Sequence, residues 1–291
     1  MCAILLAGTD YRQREVFVVA ISQAATMTGG RAVVESLRAE GVEVVFGIPG
    51  RHTISVYDAL LDTPEIRSIV TRHEQGAAFA ADGYARATGK VGVCLVTAGP
   101  GAANTMAAMT TAYADSVPIL NITSEIATAV LGKQKGVVHD SKDQSGMFAT
   151  VTDWGRRVTS VAEIPQAIHE AMRVLKTARP RPVVIEIPLD VLECKSEATT
   201  IPAAEEYDRP GPSLQEVREV AAKLAGARSP ILWAGGGVVS AGATEELRRL
   251  AELLDAPVFT TNRAKGAFPA DHPLALGTSI PHPAIREFIA K

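Results

Sequence analysis

One acidic residue heads a run of small ones in "TRHEQGAAFAADGYARATG", residues 71–89. Glu74 is that acid, and the alanines after it leave room beside its carboxyl group. The run reads as the start of a buried helix, and burial among apolar groups raises a carboxyl pKa above the ordinary ~4.3. The sequence therefore predicts a buried Glu74. A plainer account also exists: acids in the first turn of a helix are favoured by its dipole. Two more segments favour the chemical account, "GIPG" (Gly47–Gly50) and "TAGPGAAN" (Thr97–Asn104). Their glycines let backbone approach a planar ligand closely, and Asn104 adds an amide.

The elements around these segments alternate. "RAVVESLRAEG" reads as a helix closed by Gly41, "VEVVFG" as a strand, "TISVYDALLD" as a helix and "IRSIV" as a strand. The Glu74 segment is a helix, "VGVCLVT" a strand, "AGPGAANTMAAMTTAYA" a glycine turn feeding a helix, and "VPILNIT" a strand. Residues 124–152 break the rhythm and read as polar loop. Helix "EIPQAIHEAMRVLKTA" and strand "PVVIEIP" follow. Nearly all-apolar strands with helices between them predict an α/β fold, a parallel sheet with helices on both faces. All three segments then fall at the carboxyl ends of strands, where open parallel sheets bind ligands.

Four regions are expected: an N-terminal extension over residues 1–27, an α/β domain over 28–192, a linker over 193–212 and a partial Rossmann-like α/β domain over 213–291. The linker rests on "ECKSEATTIPAAEEYDRPGPS", rich in Pro, Ser, Thr and Glu. Helix "LQEVREVAAKLAGA", strand "PILWAGG", helix "ATEELRRLAELLD" and strand "PVFTT" make up the last region. So few strands leave a sheet face and edge uncovered, so that region reads as incomplete. A formal charge of −3 gives no electrostatic reason to expect nucleic acid or an anionic membrane. The three cysteines form neither a disulfide framework nor a metal cluster and fit a reducing, cytoplasmic compartment.

The stretch from "RHEQGAAFAADGYAR" through "TAGPGAAN" to "DSVPIL", preceded by "VFGIPG" and closed by "PVVIEIPLDV", resembles the pyrimidine-binding N-terminal domain of thiamine-diphosphate enzymes. Within them it is most similar to the acetolactate synthase large-subunit group, and "PILWAGGGVVSAGATEELRRLAELLDAPVF" resembles the start of that family's central domain. The resemblance makes Glu74 the catalytic residue that hydrogen-bonds N1′ of the aminopyrimidine and favours the imino tautomer that deprotonates the thiazolium C2. It assigns coenzyme contacts to Pro49, Gly50, Thr97, Gly99, Pro100, Gly101 and Asn104. His73, His139, Asp143 and Gln144 are candidates for the substrate loop; "HDSKDQ" stands where acetolactate synthases carry Phe-Gln-Glu.

The implied reaction is decarboxylation of a pyruvate-like 2-oxo acid and transfer of the two-carbon unit. The alternatives are a related decarboxylase or lyase, a non-catalytic binding or regulatory module, or one component of a split enzyme. The family holds the diphosphate and Mg2+ through a Gly-Asp-Gly segment that this sequence lacks, so no metal ligands are assigned here. The expectation is a fragment or split component, inactive alone, working as a dimer or tetramer or with a separate diphosphate-binding subunit. FAD is the further cofactor that the resemblance admits, although Ser240 replaces the last glycine of a GxGxxG turn.

Overall fold

The computed structural model describes residues 24–201, 203, 207, 211–278 and 282–290. The chain divides into two compact units, Met1–Tyr207 and Asp208–Lys291. The first contains β1 (Ala25–Thr28), α1 (Gly29–Ala39), β2 (Val44–Gly47), α2 (Ile54–Leu61), β3 (Arg67–Val70), α3 (Glu74–Thr88) and β4 (Gly92–Val96). It continues with α4 (Pro100–Asn104), α5 (Met106–Asp115), β5 (Ile119–Glu125), α6 (Gln144–Ala149) and β6 (Trp154–Arg157). It ends with α7 (Glu163–Thr177), β7 (Val183–Pro188), α8 (Leu189–Glu193) and β8 (Lys195–Ala198).

Six strands pair in parallel in the order β3-β2-β4-β5-β7-β6. The pleat shows why β4 reads as an unbroken apolar run. Val93 and Leu95 join the core that takes in Val33, Val34 and Leu37 of α1, Val56 of α2 and Ile168 and Met172 of α7. Cys94 and Val96 face the other way, into a core with Ala77, Ala78 and Ala81 of α3 and Met109 of α5. The alanine face of α3 thus lets the helix lie close to the sheet.

Connections locate the crevice. β2 leads through α2 to its neighbour β3, whereas β4 leads through α4 and α5 to its neighbour β5 on the opposite side. β2 and β4 are adjacent, so the chain leaves them in opposite directions. Outside the carboxyl ends of such a pair lies the ligand-binding crevice of an open parallel sheet. "GIPG" closes β2 and "TAGPG" closes β4 there, and α3, starting at Glu74, follows β3 at the same edge.

Three segments differ from expectation. The segment read as a linker opens with β8, which pairs antiparallel with β1 as a separate two-stranded sheet, Thr28 opposite Lys195. Ala25, Thr26 and Met27 of the expected extension belong to that pair; residues 1–23 lie outside the described residues. The region 124–152 contains α6, started by an Asp143 side chain that accepts from the Gly146 N–H and anchored by fully buried Phe148. β6 then adds an edge strand that the sequence reading lacks.

The second unit holds α9 (Leu214–Ala225), β9 (Leu232–Ala234), α10 (Gly236–Ser240), α11 (Thr244–Leu254), β10 (Val258–Thr260) and α12 (Pro283–Ala290). β9 and β10 pair in parallel, and Ala251, Val258 and Phe268 form a small core. A capping box between Ser213 and Glu216 starts α9. No helix among the described residues is long and apolar enough to cross a membrane.

Candidate functional site

Glu74 is the first residue of α3 and is partly buried, not buried as the sequence predicts. The reason is positional: it stands at the rim of the sheet edge, while the alanines that shield the helix begin at Ala77. Its carboxylate is nonetheless fixed. Asn104 at the end of α4 donates from Nδ2 to Glu74 Oε2 at 2.9 Å. The other oxygen faces the glycine turn, since an added Cβ on Gly101 would lie 3.5 Å from Glu74 Oε1. Behind it on β4, burial pushes the Cys94 thiol pKa up, and the Glu74 carboxylate adds to that shift.

The two glycine turns close on Thr97. A Cβ on Gly50 would stand 2.7 Å from the Thr97 Cβ, and one on Gly101 would stand 2.7 Å from its Cγ2. Both turns therefore pack by backbone against one threonine, whose Oγ1 is buried without a hydrogen-bond partner. Gly99 between them adopts φ +59, a left-handed conformation, and the His139 carbonyl oxygen would sit 2.5 Å from its Cβ. Pro49 and Pro100 are exposed at the crevice mouth. Glu74, Gly50, Thr97, Gly101 and Asn104 thus come together, and Gly99 joins them through the turn.

The loop candidates separate into different places. His73 is exposed and caps α3, its Nδ1 accepting from Gln75 N–H at 3.1 Å. Asp143 is the exposed cap of α6. Gln144 is buried beneath the turn with its amide fully committed. Oε1 accepts from Gly99 N–H at 2.8 Å, and Nε2 donates to the Ser124 carbonyl at 3.0 Å and to Glu186 at 2.9 Å. His139 is half-buried at φ 69 against Gly99.

Sequence reading missed two groups. His52, on the turn after β2, is buried and meets His139 edge to face, with ring centroids 4.7 Å apart. Burial foremost, then His139 and Arg51, lowers its pKa. Its only sequence signal was its place two residues past Gly50. The second group is ionic. Arg157 reaches Glu125 at 3.0 Å and Glu186 at 3.2 Å, two buried carboxylates, one the last residue of β5 and the other within β7. Burial raises the Glu125 pKa, with the Ile126 N–H and Arg157 acting against it. No cluster of three or more His, Cys, Asp or Glu able to hold a metal occurs among the described residues.

Comparison with known proteins gives two matches along the chain. Residues 27–147 match the family described as thiamine pyrophosphate enzyme, N-terminal TPP binding domain, and residues 217–290 match its central domain. A probable acetolactate synthase large subunit of Methanocaldococcus jannaschii is 41% identical over 257 residues, 86% of this chain and 43% of that protein. A probable 2-ketoarginine decarboxylase of Pseudomonas aeruginosa is 46% identical over 263 residues, 88% of this chain and 45% of that protein. The acetolactate synthase large subunit of Mycobacterium tuberculosis is 42% identical over 257 residues, covering 86% and 41%. The chain spans less than half the length of these relatives.

Proposed function

Because the chain belongs to the thiamine pyrophosphate enzyme family, whose N-terminal and central domains it carries, we propose that it supplies the pyrimidine-activating half of an enzyme acting on a 2-oxo acid. One observation carries this reading: the Glu74 carboxylate, held by Asn104 at 2.9 Å, stands over a turn built of glycines around an unpartnered Thr97 hydroxyl.

The crevice fits an aminopyrimidine ring. Its wall at Gly50 and Gly101 has no room for a Cβ beside Thr97, so backbone alone lines it, and Thr97 Oγ1 offers an unused polar atom. When bound, the coenzyme supplies a nucleophilic carbon that adds to a 2-oxo acid and takes up the electrons released with CO2. Glu74 holds a proton between itself and a ring nitrogen. Asn104 fixes the carboxylate by one oxygen and leaves Oε1 toward the turn. Gln144 fixes the turn from below through its bond to the Gly99 N–H. The family resemblance implies that the diphosphate and Mg2+ are held by a partner, either a second copy or a separate subunit.

Two fates follow loss of CO2. Transfer of the two-carbon unit, as the names of the acetolactate synthase relatives indicate for those proteins, is the first reading. Simple decarboxylation is the second. It is favoured by the relative named as a decarboxylase and by the "HDSKDQ" segment packed against Gly99.

Calorimetric titration with thiamine diphosphate and Mg2+, of this chain alone and with its partner, tests the reading. Saturable binding that weakens in Glu74→Gln supports it; no binding to the chain in either setting sinks it.

A further inference from the structure

The turn after β4 is shaped by side chains that reach it from beneath. Gly99 adopts φ 59 with ψ −112, outside the regions that residues with a side chain adopt. Ala98 N–H and Gly99 N–H are both given to side chains, the first to Ser124 Oγ at 2.8 Å and the second to Gln144 Oε1 at 2.8 Å. Ser124 lies near the end of β5 and Gln144 starts α6; both are buried. The Gln144 contact has a polarity that must be chosen. A glutamine amide carries an oxygen that accepts and a nitrogen that donates, on opposite sides of one flat group. Turned over, it would set its own N–H against the Gly99 N–H and its oxygen against two acceptors.

Those acceptors are the Ser124 carbonyl, which takes Gln144 Nε2–H at 3.0 Å, and Glu186 Oε1, which takes it at 2.9 Å. Glu186 is a buried residue of β7. Its other oxygen accepts from the Ser145 hydroxyl and stands 3.2 Å from Arg157 Nη2. The same Nη2 donates to Ser145 Oγ at 2.7 Å and to Glu125 Oε2 at 3.0 Å. Fixed through one oxygen by these partners, the Glu186 carboxylate presents the other to Gln144 in a single direction. The contacts thus run without a gap from β6 through β7 and α6 to Gly99. Gly99 is two residues from Gly101, which faces Glu74.

We propose that Glu186, held by Ser145 and Arg157, is a positioning residue for the coenzyme: it sets the polarity of the Gln144 amide, and the amide sets the Gly99 turn. The inference rests on the thiamine-diphosphate reading above and adds to it a determinant of coenzyme affinity that acts from beneath the turn. A hydrogen bond to a charged group is worth roughly 10- to 100-fold in an equilibrium constant, enough to select one amide orientation over the other. Without that carboxylate, Gln144 has the Ser124 carbonyl alone to choose by. The turn is then released towards the other conformations open to a glycine.

The test compares Glu186→Gln, Gln144→Glu, Ser145→Ala and the double variant Gln144→Glu/Glu186→Gln, each checked for folding by circular dichroism and for stability by urea melts. Calorimetry with thiamine diphosphate and Mg2+, on the chain with its partner, reads coenzyme affinity. Hydrogen exchange of the Gly99 amide, on the chain alone, reads the turn and needs no coenzyme. Glu186→Gln offers Gln144 an amide that can present either end, and Gln144→Glu sets two carboxylates against each other. Each is expected to weaken coenzyme binding about tenfold or more and to speed Gly99 exchange about as much, the low end for a hydrogen bond to a charged group. Ser145→Ala loosens the carboxylate without removing it and is expected to move both readouts the same way by about threefold. In the double variant the carboxylate at position 144 still accepts from Gly99 N–H, and the amide at position 186 donates to it. That variant is expected to bind coenzyme more tightly than Gln144→Glu, a coupling that separates positioning from plain destabilisation. Unchanged Gly99 exchange and coenzyme affinity in Glu186→Gln and Ser145→Ala, whatever their urea stability, overturn the inference and leave Glu186 as a counterion of Arg157. A double variant no better than Gln144→Glu overturns it as well. Absence of coenzyme binding in the wild type instead overturns the functional reading beneath it, while Gly99 exchange still reports on Glu186.

Discussion

Asn104 Nδ2 donates a 2.9 Å hydrogen bond to Glu74 Oε2, joining the end of α4 to the start of α3 across the crevice. The bond fixes one oxygen and leaves the other for a ligand. Glu74→Gln is expected to reduce turnover of a 2-oxo acid by the holoenzyme at least ~100-fold, the low end for loss of a general acid–base group. Asn104→Ala frees the carboxylate to rotate and is expected to cost about tenfold in kcat, as misplacement of a catalytic group does. Steady-state kinetics with saturating thiamine diphosphate decides both; turnover near wild type in Glu74→Gln defeats the assignment.

Gly99→Ala probes the turn itself. The new methyl meets a left-handed φ of +59 and the His139 carbonyl oxygen at 2.5 Å, so either the turn or the His139 loop must move. A loss of about 1–3 kcal/mol in urea unfolding is expected, the usual size of such backbone strain, together with weaker coenzyme binding. An alanine variant of full stability shows that the turn is not held in this shape.

His52 makes stability depend on pH. Its folded pKa is lowered, chiefly by burial, from an ordinary value of 6.5. The unfolded chain therefore binds more protons than the folded one between the lowered value and 6.5. Stability is unaffected above that window and falls as pH drops through it, by at most ~1.4 kcal/mol per pH unit for one proton. Urea midpoints at pH 7.5 and 5.5 measure the slope. His52→Phe is expected to flatten it, and an unchanged slope excludes His52 as its source.

Much of this was legible in the sequence, for a physical reason. Buried parallel strands must be apolar on both faces, so "VGVCLVT" and "PVVIEIP" betray themselves, and Gly41 and Gly89 mark helix ends by their positive φ. The gathering of Glu74, Gly50, Thr97, Gly101 and Asn104 followed from placing three turns at the carboxyl ends of strands. β6 escaped notice because "WGRR" carries a glycine and two arginines, as an edge strand can. α6 hid in a polar stretch because it is only one turn and a half of helix with two buried residues, Gln144 and Phe148. The His52–His139 contact has no sequence signal at all, since no spacing rule links residues brought together only by the sheet. Glu74 was expected deeper than it lies because the small residues after it shield the helix, not its first turn.

Arg157 yields the prediction with the sharpest sign. It is the cation that reaches Glu125 and Glu186, each 2% exposed, and Glu186 in turn holds Gln144 beneath the Gly99 turn. Arg157→Met leaves two buried carboxylates facing each other, and breaking such a group costs about 3–5 kcal/mol at neutral pH. The cost should not be constant. The Glu125 pKa is already raised above 4.5, with burial as the largest cause and Arg157 among the groups opposing it; removing the arginine raises it further. A carboxyl with a raised folded pKa contributes its stability below the unfolded value and loses it as pH rises through the folded one. The variant should therefore be close to wild type near pH 4.5 and most destabilised above pH 7. An Arg157→Met/Glu125→Gln double variant removes one of the two charges and should regain about half of the loss at pH 7.5, because the remaining carboxylate no longer faces another. Urea melts of the three proteins at both pH values settle the matter. A deficit of equal size at pH 4.5 and 7.5 means that Arg157 acts by packing rather than by charge.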